Sequence, residues 1–136
     1  MVYAHKYYNL AESALSPGDK IQISVCDCDR QVWKNACVQC DENGHDYGCA
    51  YWNTMARMRG APTGSLVAAI CECGAEANDD CLVKVGSGVT HVVGGDPAKK
   101  YCVYLFANDM PLFYWNNSGA ISVRVKVTRR NTEVIH

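Results

Sequence analysis

The chain is 136 residues long and close to neutral, with 13 basic and 14 acidic residues for a formal net charge of −1. That length predicts one domain, residues 1–136, with enough core to fold without a metal or staples. The charge balance offers no basic patch for nucleic acid or an anionic membrane surface. No apolar run approaches the ~18 residues of a membrane-spanning helix, so no membrane insertion is expected.

In chain order, the opening Met1-Val2-Tyr3 does not read as a signal peptide. His5–Leu10 is a weak strand candidate. Pro17-Gly18-Asp19 is turn chemistry, because proline fixes φ and glycine takes the left-handed region. It leads into Lys20–Cys28, where Ile21, Ile23 and Val25 alternate with Gln22, Ser24 and Cys26, a strand with one buried face. From Asp29 to Pro62 the periodicity breaks down: five charged residues precede Gly44, and Cys37, Cys40 and Cys49 suggest a long stapled loop region. Asn53–Arg59 has the pattern of a short helix. Gly64–Cys71 reads as a buried strand through Leu66, Val67, Ala69 and Ile70, and Cys81–Val85 and Thr90–Val93 as weaker strands. Tyr101–Ala107 and Ala120–Thr128 alternate clearly, with Ile121, Val123, Val125 and Val127 on one face. Many short strands with Gly/Pro turns predict an all-β fold, an antiparallel β-sandwich or jelly roll.

Nine cysteines, at 26, 28, 37, 40, 49, 71, 73, 81 and 102, are too many for an ordinary reduced cytosolic domain. They point to disulfides in an extracellular, secreted protein. The odd count leaves at least one thiol free or paired between chains, and spacing does not decide the connectivity.

Asn108-Asp109-Met110-Pro111-Leu112-Phe113-Tyr114-Trp115-Asn116-Asn117-Ser118-Gly119 lies between the last two clear strands. One carboxylate, two adjacent side-chain amides and several loop carbonyls are hard oxygen donors, the set Ca2+ selects. The loop is also aromatic, which suits carbohydrate.

Its pattern, Asn-Asp-x-Pro-x-x-Tyr-x-Asn-Asn-Ser-Gly followed by Ile121-Ser122-Val123, resembles the bacterial galactose-specific, calcium-dependent lectins of the PA-IL (LecA) type. Ser16-Pro17-Gly18-Asp19-Lys20-Ile21 is similar to that family's turn into an early strand. Gly60-Ala61-Pro62-Thr63-Gly64-Ser65-Leu66-Val67 is similar to its lead into a central strand. The resemblance runs from about Tyr7 to Val127 and is most specific in the last loop. It implies a non-enzymatic lectin in which calcium, held by loop oxygens, binds two neighbouring sugar hydroxyls. Carried over, Asp109 gives a carboxylate, Asn116 and Asn117 amide oxygens, Phe113 its backbone carbonyl, and Gln31, in the stretch up to Trp33, a further carbonyl. His45 and Tyr47, in Gly44-His45-Asp46-Tyr47-Gly48, would reach the sugar, together with Asp109, Met110, Phe113, Trp115 and Asn116. Here the chain departs from the family: Tyr47 stands where a Gln is usual, and Leu112, Phe113 and Trp115 replace small or hydroxylated residues. The implied partners are galactose-containing glycans. Avidity at shallow sugar sites comes from several copies, hence a homo-oligomer.

Blander readings stand beside this one. Asn-Asp and Asn-Asn-Ser-Gly are ordinary hairpin chemistry. His45 alone is a solvated loop histidine, and Trp33, Trp52 and Trp115 serve equally well as packing residues. The first alternative function is a disulfide-stapled protein-interaction module on the same fold, with calcium structural or absent. The second is a tetrathiolate zinc site joining Cys37-x-x-Cys40 to Cys26-x-Cys28 or Cys71-x-Cys73. Nothing in the spacing aims His5, His45 or His91 at a catalytic thiol, and the Asp27/Asp29 and Asp79/Asp80 pairs read as solvated loop ends.

Overall fold

The computed structural model describes residues 1–26, 33–35, 38–40, 42–45, 57–58, 61, 63–75, 79–108, 114 and 117–130. The chain is an all-β, antiparallel fold. β2 (Asn9–Leu15), β10 (Tyr101–Ala107), β7 (Thr63–Glu72) and β6 (Asn43–His45) lie in that order, and β8 (Leu82–Lys84) pairs with β7 beyond β6. A three-stranded sheet runs β12 (Val123–Thr128), β3 (Lys20–Val25), β9 (Gly88–Val92). A third sheet runs β1 (Val2–Tyr3), β11 (Ser118–Ile121), β4 (Trp33–Asn35), β5 (Val38–Cys40). A one-turn 3-10 helix, Asp79–Cys81, leads into β8.

Alternation decides which faces meet. On β3 and β12, Ile21, Ile23, Val123, Val125 and Val127 point inward, against Leu66 and Ala68 of β7 and Val103, Leu105 and Ala107 of β10. These two sheets form the sandwich, closed at its side by Val2, Trp33 and Ile121. The opposite side chains of β7 and β10, Val67, Ala69, Cys71 and Phe106, are buried too, beneath Tyr8, Met58, Leu82, Tyr104 and Tyr114. Leu66-Val67-Ala68-Ala69 is an unbroken apolar run because both of its faces are covered.

The Arg57 guanidinium lies over this second core, 3.5 Å from the Phe106 ring centre, 3.6 Å from Tyr7 and 4.7 Å from Tyr8. It also donates to the Tyr7 carbonyl and, at 3.2 Å, to the Tyr114 hydroxyl. Ring faces and two oxygens thus solvate a cation that would otherwise lose water.

Tyr101–Ala107 is a strand over the predicted bounds, and the predicted Gly64–Cys71 is extended by one residue at each end. Other expectations change. The Lys20–Cys28 strand ends at Val25. Ala120–Thr128 divides at Ser122: Ile121 joins the third sheet and Val123 the three-stranded one, while both still face the main core. His5–Leu10 is corrected to a turn, with Lys6 N–H donating to the Tyr3 carbonyl at 3.2 Å, before a later strand from Asn9. The amide of Asn9 makes that strand possible: buried, it donates to the carbonyls of Tyr3 and Leu105 and so ties the N-terminus to β10. The loop region 29–62 carries β4, β5 and β6, too short for a period to show. Of the expected helix Asn53–Arg59, Arg57 and Met58 form a bend and the rest lies outside the described residues.

The Ser16-Pro17-Gly18-Asp19 turn forms as expected, with Gly18 at φ 97° and Asp19 N–H donating to the Ser16 carbonyl at 3.0 Å. A side chain at Gly18 would be strained by that φ and would meet Arg130. Asp19, only 3% exposed, accepts from Arg130 N–H (2.7 Å), Ser16 N–H (2.9 Å) and Arg129 Nη1 (3.2 Å). The Arg130 and Ser16 amides, outweighing burial and helped by Arg129, hold its carboxyl below the usual carboxylate range. A lowered folded pKa stabilises above the unfolded value of ~3.9 and is lost as pH falls through the folded one. Asp19→Asn therefore costs about 1.5–3 kcal/mol at neutral pH. In urea melts across pH 2–7 it also flattens the acid limb of the stability curve.

Candidate functional site

The stretch 109–116 joins β10 to β11 in sequence, and the described residues Asn108, Tyr114 and Asn117 define a frame. Asn108 follows β10 and is completely buried. Its backbone continues the sheet: its N–H donates to Ser65 O at 2.8 Å and its carbonyl accepts from Gly64 N–H at 2.6 Å. A buried amide must be hydrogen-bonded, and this one clamps another segment. Its Oδ1 accepts from Met58 N–H (2.9 Å), and its Nδ2 donates to the carbonyls of Met58 (3.0 Å) and Ala61 (3.1 Å). Gly64, at φ 85°, turns its carbonyl to accept from the buried Trp33 indole at 2.8 Å.

At the far end of the segment, the Tyr114 hydroxyl donates back to Ala107 O at 2.6 Å, and Asn117 N–H donates to Tyr114 O at 3.1 Å. Asn117 is buried, and its Nδ2 donates to Ala4 O at 3.1 Å. Ala4 N–H in turn donates to Gly119 O at 3.0 Å. The orientation of the Asn117 amide is thereby set by the Ala4 carbonyl.

Of the sequence-predicted site, Gln31, Tyr47, Asp109, Met110, Phe113, Trp115 and Asn116 lie outside the described residues. His45 ends β6 with its backbone opposite Thr63, the residue before the Gly64 that pairs with Asn108. Trp33 of β4 stands opposite Gly119. The backbones of Trp33, His45, Asn108 and Asn117 are thus linked through neighbouring pairings at one end of the fold, although they are distant in sequence.

A concavity of about 470 Å³ opens beside β11, lined by Tyr3, His5, Asn117, Ser118, Gly119 and Ala120. The Tyr3 and His5 rings meet edge to face at 6.0 Å, with Lys6 Nζ 5.0 Å from the Tyr3 ring centre. Sequence reasoning missed Tyr3 and His5 as site residues. The available signal was the run of rings at Tyr3, His5, Tyr7 and Tyr8. It carried no address, because only the β1–β11 pairing puts Tyr3 opposite Ala120.

Among the described residues, no group of three or more His, Cys, Asp or Glu is arranged to hold a metal. Cys73 is bonded to Cys102 and Cys26 is disulfide-bonded as well, so neither Cys26-x-Cys28 nor Cys71-x-Cys73 can give the zinc alternative its second pair of thiolates. No described helix is long and apolar enough to cross a membrane. No protein-family model matches the chain, and no curated protein matches it.

Removing the Asn108 amide orphans one N–H and two carbonyls in a buried place. Asn108→Ala should lower unfolding free energy by about 2–4 kcal/mol, read as a lower urea midpoint with an unchanged slope.

Proposed function

We propose that the chain is an extracellular, calcium-dependent carbohydrate-binding module for galactose-type glycans, and that it performs no catalysis. The observation that supports this reading is that the oxygen-rich stretch is flanked in sequence by two buried amides, Asn108 and Asn117, and that Asn117 lines a wide concavity with Tyr3 and His5. The donor set suits a hard cation: the Asp109 carboxylate, the amide oxygens of Asn116 and Asn117, and the carbonyls of Phe113 and Gln31. Calcium, when bound, would supply attraction for two neighbouring sugar hydroxyls, since one carboxylate leaves its charge under-neutralised.

The chain's own residues do the rest. The Ala4 carbonyl holds the Asn117 amide in one orientation, so less ordering is needed when an ion arrives. Tyr3 offers an aromatic face and His5 a hydrogen-bonding tip; His45, Tyr47, Met110 and Trp115 are the further sugar contacts of this reading. The Cys73–Cys102 disulfide supports an oxidising, extracellular setting. Avidity would come from a homo-oligomer or an array of copies.

Isothermal titration with galactose, with calcium and after chelation, tests the proposal. Binding should require calcium and vanish in Asp109→Ala, and Asn117→Ala should weaken calcium itself. Sugar binding that survives chelation contradicts the mechanism. Calcium binding without any sugar response favours the protein-interaction module instead.

A further inference from the structure

At the end of the five-stranded sheet opposite Asn108, four cysteines come together. Cys71 of β7 is the register partner of Cys102 on β10, and Cys102 is bonded to Cys73. Cys81 closes the one-turn helix that leads into β8, whose Leu82 pairs with Ala69. Cys71 and Cys81 are both free thiols, pack in the same cluster and share a hydrogen bond. Cys26 is disulfide-bonded as well, so this chain makes cross-links at other sites and keeps an adjacent thiol pair here. The two thiols differ in access: Cys71 is 3% exposed, and Cys81 is half-buried.

We propose that Cys71 and Cys81 are a dithiol modification site that small-molecule disulfides of the glutathione class close into a further cross-link. The Cys81 thiolate, the accessible one, attacks a sulfur of the small disulfide; that S–S bond breaks, and the first small thiolate leaves and takes up the proton Cys81 lost. Cys71 then attacks the Cys81 sulfur of the mixed disulfide. The bond to the second small thiol breaks, and that thiolate leaves with the proton from Cys71. Two protein thiols are oxidised by two electrons, and one small disulfide is reduced to two thiols.

The order of attack follows from the surroundings. Burial first, then the charge and hydrogen bond of Cys81, push the Cys71 thiol up to about 11, so it is not the first nucleophile. Once Cys81 is capped, its mixed disulfide lies in the same packed cluster as Cys71, and that proximity makes Cys71 the resolving thiol. The finished bond would fasten the Asp79–Cys81 turn and β8 to β7, beside the Cys73–Cys102 link.

The test treats the folded, full-length protein with oxidised glutathione at neutral pH, quenches in acid, alkylates without reduction and maps peptides by mass spectrometry. The expected product joins Cys71 to Cys81, lighter by two hydrogens, with Cys73–Cys102 intact. Cys81→Ser, at the more accessible position, should form no cross-link. Cys71→Ala, checked for a native circular dichroism spectrum, should stop at a glutathione adduct on Cys81. The proposal is overturned if both thiols stay alkylatable, if the wild type halts at the Cys81 adduct, or if Cys71 is found bonded to Cys73 or Cys102.

Discussion

The structure depends on the β7–β10 ladder being covered on both faces. Two neighbouring strands with almost no polar side chains leave no face for water, so every other element has to cover one of their faces or one of their ends. The three-stranded sheet takes the first face with Ile21 and Ile23. The second is taken by irregular chain, through Tyr8, Met58 and Tyr114. Each large apolar side chain buried this way stabilises by about 1.5–3 kcal/mol, so the cover on both sides is held by packing. Without the second cover, Val67, Ala69 and Phe106 would face solvent.

The two ends of this ladder have different chemistry because different residues interrupt the apolar run. At one end Asn108 replaces the next apolar residue, and its amide converts the sheet's end into an attachment point for Met58 and Ala61. Arg57, next in sequence to Met58, is carried by that attachment onto Tyr7, Tyr8 and Phe106. A polar clamp and a cation over aromatic rings therefore belong to one device, which holds the chain leading into β7 against the second face. At the other end the interruption is by cysteine, and the attachment is covalent or able to become so. The oxygen-rich stretch follows Asn108 in sequence, and the amides on either side of it, Asn108 and Asn117, are buried and hydrogen-bonded.

Legibility in the sequence followed length and coverage. β10 and β7 were visible because seven to ten residues of apolar or alternating pattern leave little ambiguity. The Ser16–Asp19 turn was visible because Pro-Gly forces its geometry. β4, β5 and β6 were not, since three residues each cannot establish a period and register with distant partners defines them. The division at Ser122 was hidden because Ile121 and Val123 keep the same inward parity while changing sheets. At the candidate site, the residue types in 108–119 led to an expectation of oxygen donors, whereas the structural work of Asn108 was not legible: an Asn before an Asp reads as a turn, and its partners at 58 and 61 are remote. Tyr3 and His5 reach the site only through a two-residue strand, the weakest of sequence signals.

The proposed function requires calcium to act on the stretch 109–116 while the β7–β10 ladder beside Asn108 stays as it is. Hydrogen exchange read by mass spectrometry, with calcium and with chelator, tests it most directly. The account predicts that calcium slows exchange in peptides covering 109–116 and leaves 71–81 unchanged, while β7 and β10 exchange slowly in both conditions. Absence of any calcium effect in 109–116, or equal slowing across the whole chain, would contradict it.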